Sequence, residues 1–174
     1  MSPGASADAP GGAGAVGEDG DAPTLVFRRQ FRHPLERVWA AITEPDQIRR
    51  WQLTEATIDA RPGGSVEFVT GPDRVRSFGR IRAWRPPRLW EYEWNFAPGP
   101  YVPDGESAVV RWELSPTPDG TLLVLTHRRL RRPTARAFAR GLRGFLDRLG
   151  AQLDGTPLPD WPPPSGAGPP VRTA

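Results

Sequence analysis

An α+β fold is predicted for this chain by the order of its periodic segments. Residues 34–51 contain two short amphipathic helices, which are separated at Pro45. One strand-like segment precedes them, about six more follow, and a long amphipathic helix comes last. Because most of the strands follow one another directly, this order favours an antiparallel sheet with helices packed against it.

The first strand and the two short helices are defined by a change in hydrophobic spacing. Residues 24–32 alternate between two faces, which is typical of a strand. His33-Pro34 ends this strand, because proline restricts the preceding residue to extended geometry and suits the first turn of a helix. The apolar residues that then recur at helical spacing are Leu35, Val38, Trp39 and Ile42, followed after the break by Ile48 and Trp51.

Three hairpins are predicted between the short helices and the long helix. In the first, an Arg-Pro-Gly-Gly turn pairs Ile58 with Val66. In the second, a register that places Trp84 opposite Leu89 opposes arginines to glutamates on one face. The other face then sets small residues against aromatic ones.

The third hairpin and the long helix complete the domain. A turn at residues 116–120 pairs Leu114 with Thr121 and places Ala108 beside His127. A helix is predicted over residues 133–153, because its apolar residues follow the i, i+3, i+4, i+7 spacing of an amphipathic helix. Those residues are Ala135, Phe138, Ala139, Leu142, Phe145, Leu146, Leu149 and Leu153.

Composition divides the chain into one domain and two tails. Residues 1–23 are mainly small or acidic, and residues 154–174 are rich in proline. Neither segment has enough bulky apolar side chains to offset the entropy lost on ordering, so both are predicted to be disordered. Residues 24–153 remain, which is the size of a single domain with a real core.

Composition also excludes several classes of protein. The chain has no cysteine and two histidines, so disulfides, thiolate metal sites and multi-histidine metal sites are excluded, and we expect no cofactor. No apolar run is long enough to span a membrane, and the N-terminus does not read as a signal peptide. We therefore expect a soluble, cytoplasmic protein.

The basic residues are all arginine, and they lie almost entirely in the predicted domain. Residues 24–153 contain 22 arginines and 14 acidic residues, a net charge of +8. Such a charge attracts anionic partners, but it is also typical of a solvated arginine-rich surface. The chain lacks a basic strand interleaved with aromatic residues, so no nucleic-acid partner is expected.

Several segments carry a family resemblance. They are PLERVWAAITEPDQIRRW (34–51), Pro62-Gly63-Gly64, Gly79-Arg80-Ile81, PPRLWEYEW (86–94), DGTLLVLTH (119–127) and Gly144-Phe145. Their order and spacing over residues 24–153 resemble the SRPBCC (START-like, helix-grip) superfamily. The closest likeness is to the branch named after the activator of the heat-shock-protein-90 ATPase. Members of that family commonly have Gly-Trp where this chain has Gly144-Phe145.

The resemblance implies a helix-grip fold. In this fold a curved antiparallel sheet of about six to seven strands wraps around a long C-terminal helix, and two short helices follow the first strand. The family has a cavity between sheet and helix. Independently, the aromatic face of the second hairpin needs a cover, and the helix over residues 133–153 is the only long apolar surface that the sequence offers.

A ligand site is predicted in the implied cavity. The candidate residues are Trp51, Phe68, Trp90, Tyr92, Trp94, His127, Leu142 and Phe145. The aromatic residues suit the wall of a pocket, which is mostly apolar with a few polar groups, but they equally suit a filled core. His127 is a candidate for binding the ligand or for acid-base chemistry, and the alternative is a core histidine with a local partner.

Three functions remain open at this point. The first is non-enzymatic binding of a small apolar ligand, in which case no residue is catalytic. The second is a protein-interaction module, with a chaperone as the partner that the family name implies. The third is an enzyme resembling the cyclases, aromatases or hydrolases of the superfamily, which needs a second polar group beside His127, from Tyr92, Asp104 or Glu106.

Overall fold

The computed structural model describes residues 15–19, 22–100 and 102–161. The strands are β1 (Ala15–Asp19), β2 (Ala22–Phe31), β3 (Thr54–Ile58), β4 (Ser65–Thr70), β5 (Val75–Arg85), β6 (Leu89–Phe96), β7 (Glu106–Thr117) and β8 (Gly120–Arg128). The helices are α1 (Leu35–Thr43), α2 (Pro45–Gln52) and α3 (Arg132–Asp154). The α+β class and the predicted order of elements are confirmed.

All the strands form one antiparallel sheet in the order β1-β2-β8-β7-β6-β5-β4-β3. The two short helices connect β2 to β3, which lie near opposite edges of the sheet. The long helix α3 packs on β2 and against both short helices. One apolar core forms where the inner face of the sheet meets the helices. Within the described ranges, no helix has the length and apolarity that crossing a lipid bilayer requires.

The N-terminal edge of the sheet differs from the sequence prediction. Among the described residues the sheet has eight strands, because β1 pairs with β2 from Ala15–Val26 to Asp19–Ala22 and adds an edge strand to the predicted sheet. These residues fall inside the segment 1–23 that we predicted to be disordered, so that prediction is wrong for Ala15–Asp19. Edge pairing uses backbone hydrogen bonds and needs no apolar side chains, so composition gave no signal for it.

The remaining residues of the two predicted tails are only partly described. Residues 1–14 and 162–174 lie outside the described ranges. Residues 155–161, which we also assigned to a disordered tail, follow α3 and run back along the domain to Trp161. Their contacts are described with the site below.

A β-bulge changes the register of the second hairpin. Ile81 is opposite Tyr92, but the register shifts by one residue beyond Ile81, so that Trp84 faces Trp90. The predicted pairing of Trp84 with Leu89 is therefore wrong. The bulge inserts one extra residue on β5, a local feature that the pattern of apolar residues does not specify.

The register of the first hairpin was predicted correctly, and that of the third hairpin was not. Ile58 pairs with Val66, as predicted. In the third hairpin, Leu114 pairs with Leu123 instead of Thr121, so His127 lies opposite Val110. The turn is tighter than expected, because β7 continues through Pro116, which pairs with Thr121. Proline is tolerated there because β7 pairs with β6 only as far as Glu113, so no hydrogen bond to β6 is lost. Since the error is two residues, every side chain keeps its predicted face.

A buried carboxylate links four strands on the face of the sheet opposite the helices. Glu91 on β6 is 6% exposed. Its carboxylate lies 3.3 Å from Arg82 on β5, 3.3 Å from Arg111 on β7 and 2.8 Å from Arg128 on β8. Because the arginines stay partly exposed, their alkyl chains shield the carboxylate while their charges remain hydrated.

We expect the Glu91→Gln substitution to lower the free energy of unfolding by about 1–3 kcal/mol, because it removes the charge that three arginines share. Urea denaturation monitored by circular dichroism measures this loss. The matched control is Glu67→Gln, which breaks a single exposed pair with Arg76 and should cost less than about 1 kcal/mol. Equal losses in the two variants would contradict the assignment.

Candidate functional site

A cavity of about 360 Å³ lies between the inner face of the sheet and the N-terminal two-thirds of α3. Its sheet wall comes from β4 to β8, and its helix wall comes from α3 residues between 133 and 146. The end of α2 and the turn between β4 and β5 contribute a third side. Most of its lining is apolar, as in pockets that bind small organic molecules.

Aromatic side chains form one end of this cavity. The ring of Trp94 lies 4.2 Å from Phe96, 4.7 Å from Phe138 and 4.9 Å from His127, measured between ring centroids. The contacts are tilted or edge-to-face, which are the favourable geometries for aromatic pairs. This cluster joins β6, β8 and α3, so it fixes the distance between the helix and the sheet at this end.

His127 brings a polar group into the apolar wall. The residue is 4% exposed, and its Nδ1 atom is buried without a hydrogen-bond partner among the described residues. Burial lowers the pKa of His127 from its ordinary value of 6.5 to about 3, so the ring is neutral at physiological pH. A neutral imidazole has one donor and one acceptor nitrogen, and a buried nitrogen without a partner destabilises the empty site.

Tyr92 supplies a second neutral polar group. Burial raises the pKa of the Tyr92 hydroxyl above its ordinary value, and the neighbouring Trp112 indole acts in the opposite direction. The hydroxyl therefore stays protonated. Tyr92 pairs with Val110, and Val110 pairs with His127, so the two polar residues lie in one row, two strands apart. Two strand spacings correspond to roughly 10 Å.

Seven of the eight predicted site residues surround the cavity. They are Trp51, Phe68, Tyr92, Trp94, His127, Leu142 and Phe145. Trp51 is fixed by its indole N–H, which donates a 2.8 Å hydrogen bond to the carbonyl oxygen of Ala41. Strand alternation predicted the inward face of the residues in the sheet, and helical spacing predicted that of Trp51, Leu142 and Phe145; the role of all seven in binding stays a prediction.

Trp90 does not line the cavity. It is 1% exposed and packs edge-to-face on Trp84, with centroids 5.7 Å apart, while Trp84 in turn contacts Trp39 of α1. These three tryptophans fill the end of the core beneath α1, and the cavity begins one residue pair further along, at Tyr92. The prediction that Trp90 and Tyr92 lie on the same face is correct, but the sequence does not show where the filled core ends and the cavity begins.

Several lining residues were not among the predicted site residues. They are chiefly Phe96, Trp112 and Phe138 among the aromatic ones, Ser77, Asp104, Arg131 and Thr134 among the polar ones, and Trp161 after α3. Phe138 and Trp112 were detectable, since both lie on predicted apolar faces. Nothing in the sequence pattern places Trp161 at the site, because it follows the helix in a proline-rich segment.

The carboxylates that the enzyme hypothesis named have other contacts. Glu106 accepts hydrogen bonds from the backbone N–H groups of Ser107, at 3.1 Å, and Arg131, at 3.2 Å. Asp104 lies 3.4 Å from the Arg131 guanidinium. These contacts tie the start of β7 to the start of α3. In the described parts of the chain, no group of three potential metal-ligating side chains comes together.

Solved structures with this architecture come from several bacteria. The crystal structure of CalU16 from Micromonospora echinospora is 29% identical and covers 80% of this chain and 84% of that chain, with a TM-score of 0.66. Protein MLL2253 from Mesorhizobium loti is 29% identical and covers 78% and 99%, with a TM-score of 0.64. The BPP1335 protein of Bordetella parapertussis is 26% identical and covers 90% and 87%, with a TM-score of 0.64.

An antiparallel sheet that holds a C-terminal helix over an apolar cavity defines a START-like, helix-grip protein of the SRPBCC superfamily. Within it, the sequence profile described as "Activator of Hsp90 ATPase homolog 1-like protein" matches residues 32–154. The chain belongs to this family, which confirms the resemblance seen in the sequence. No curated protein is detectably similar to the chain.

The buried neutral imidazole predicts a pH dependence of stability. Between pH 6.5 and about 3 the unfolded chain binds a proton at His127 and the folded chain does not. The free energy of unfolding therefore decreases as the pH is lowered through this range. From pH 7.5 to pH 5 we expect this residue to account for a loss of about 2 kcal/mol. Urea denaturation at both pH values, comparing the parent protein with His127→Phe, measures the difference.

The other histidine needs a control in this experiment. His33 contacts Asp154 at 2.7 Å on the surface. Both measurements are therefore made in a His33→Gln background, where any remaining difference belongs to His127. A loss on acidification that is the same with and without His127 would contradict its burial as a neutral ring.

Proposed function

We propose that this protein binds a small, planar and mainly apolar molecule that carries at least one hydroxyl or carbonyl group. The observation that supports this proposal is the 360 Å³ cavity, whose aromatic wall contains a buried histidine nitrogen that has no hydrogen-bond partner in the described part of the chain. An apolar cavity without polar groups suits a pure hydrocarbon. Here a ligand that hydrogen-bonds His127 relieves a cost that the empty protein carries.

The chemistry of the two polar residues favours binding over catalysis. His127 is surrounded by Trp94 and Phe138, and its lowered pKa makes it a weak base. The carboxylates that an acid-base mechanism would use are engaged by backbone N–H groups or by Arg131. The cyclase, aromatase or hydrolase alternative therefore has less support than simple binding.

A chaperone-related function is the second candidate, and the family match over residues 32–154 favours it. Such a function uses the protein surface, and the charge available there is the net positive charge of the domain. An ATPase assay with Hsp90 separates the two candidates. Stimulation that survives mutation of the cavity and is lost on charge reversal of surface arginines would support the chaperone function.

The direct test of the binding proposal uses a cavity tryptophan and a matched tryptophan outside the cavity. We expect Trp94→Ala to weaken binding of 2-naphthol at least about tenfold, because it removes the aromatic contact at the end of the cavity. Isothermal titration calorimetry measures the dissociation constant. Trp84→Ala is the control, since Trp84 is also partly buried but lies outside the cavity.

Equal weakening of binding by the two tryptophan variants would contradict the proposed site. Loss of folding in Trp94→Ala, together with failure of the parent protein to bind any apolar probe, would identify these residues as core. Native mass spectrometry of the purified protein then identifies a co-purified small molecule and gives its mass.

The role of His127 predicts a change in selectivity. His127→Phe keeps the aromatic bulk and removes both ring nitrogens, so a hydroxyl group on the ligand loses its partner. We expect the affinity for 2-naphthol to fall about five- to tenfold, as for the loss of one buried hydrogen bond, while the affinity for naphthalene stays the same or rises. Competition against a fluorescent apolar probe measures both, and an equal change for the two compounds would argue against the hydrogen bond.

A further inference from the structure

The segment after α3 turns back along the domain. Gly155 ends the helix in the left-handed conformation, with φ of 69°, and the N–H of Thr156 donates to the carbonyl oxygen of Ala151 at 3.0 Å. This helix ending reverses the direction of the chain. The residues that follow lie outside the region matched by the family profile, which ends at residue 154.

A buried arginine holds this segment against the domain. Arg148 is 5% exposed; its Nε atom donates to the carbonyl oxygen of Trp51 at 2.7 Å, and its Nη1 atom donates to the carbonyl oxygen of Pro159. Its guanidinium carbon lies 5.5 Å from the centroid of the Trp161 ring, a distance typical of a cation–π contact. One side chain therefore connects α2, α3 and the C-terminal segment.

Trp161 lies across one end of the cavity. Its ring packs edge-to-face on Phe145 of α3, with centroids 5.1 Å apart. On the other side it touches the turn between β4 and β5, where a Cβ atom added to Gly71 would lie only 2.8 Å from Cζ2 of Trp161. The gap between α3 and this turn is thus filled by an indole ring that lies beyond the region matched by the family profile.

We propose that Trp161 is the residue that sets the size of the ligand: it forms a removable end wall that restricts the cavity to compact ring systems. This inference rests on the proposed binding function and adds a determinant of specificity to it. An indole has two fused rings, so its removal frees the space that two further ligand rings occupy.

The test compares 2-naphthol, with two rings, and 1-pyrenol, with four, on the full chain. In Trp161→Ala we expect 1-pyrenol to bind about tenfold more tightly than in the parent protein, while 2-naphthol binds equally well or more weakly. The measured quantity is the ratio of the two dissociation constants, from fluorescence titration. Far-ultraviolet circular dichroism and the unfolding midpoint check the fold of each variant.

Gly71 provides a second way to displace Trp161 without altering it. Gly71→Asn introduces a Cβ into the space that the indole occupies, and asparagine tolerates the left-handed backbone at this position, with φ of 72°. The matched control is Gly63→Asn, because Gly63 has a similar φ of 78° and nothing within 4 Å of an added Cβ. We expect Gly71→Asn to shift the ratio in the same direction as Trp161→Ala, and Gly63→Asn to leave it unchanged.

An unchanged ratio in either Trp161→Ala or Gly71→Asn, with binding intact, overturns the role of Trp161 and leaves the binding function standing. A uniform loss of affinity for both compounds in Trp161→Ala has the same meaning, because it makes Trp161 an ordinary contact residue. If neither compound binds the parent protein or any variant, the binding function fails and the size-setting role fails with it.

Discussion

The unequal fit of α3 against the sheet is the constraint on which the rest of this structure depends. Its second half is held tightly: Leu149 and Leu153 are buried, and the Leu153 carbonyl oxygen accepts a 2.7 Å hydrogen bond from Arg37 of α1. Its N-terminal part, as far as residue 146, faces the sheet across a cavity. The cavity therefore lies where α3 is not packed directly on the sheet.

The small residues of α3 decide that this space stays open. Ala137 and Gly141 face the cavity, and neither fills it. Glycine inside a helix costs about 1 kcal/mol relative to alanine, so Gly141 weakens the local helix as well as leaving room. Two other contacts offset this loss of helix stability. Glu106 accepts a hydrogen bond from the Arg131 N–H at the start of the helix, and Phe138 packs against Trp94. These contacts keep α3 stable although part of its inner face borders an unfilled cavity.

Much of the fold could be predicted from the sequence, because it follows from periodicity. The alternation in β6 placed Tyr92 and Trp94 on the inner face, and the helical spacing placed Leu142 on the covering helix. The pairing register of the strands next to the turns could not be predicted as well. The bulge beyond Ile81 and the short turn before Gly120 are settled by local backbone geometry, to which apolar patterning is insensitive. The pairing of β1 depends on backbone groups alone.

The sequence predicted which face of the sheet carries the candidate site, but not where on that face the cavity begins and ends. Trp90 and Tyr92 share that face, yet one is packed by other tryptophans and the other lines the cavity. The difference depends on where α1 lies over the sheet, which no local pattern records. Trp161 was missed for a related reason: its position follows from the reversal at Gly155 and from Arg148, a residue whose burial has no signature in the sequence.

The cluster around Glu91 has a consequence for which parts of this protein can change the shape of the cavity. One carboxylate fastens β5, β6, β7 and β8 from behind, and these strands carry most of the sheet wall of the cavity. The three ion pairs hold these strands together on the face that points away from the cavity. The parts of the cavity wall that this cluster does not connect are α3 and the segments that border it. In this chain, a substitution in α3 or in those segments therefore changes the shape of the cavity and leaves these ion pairs in place.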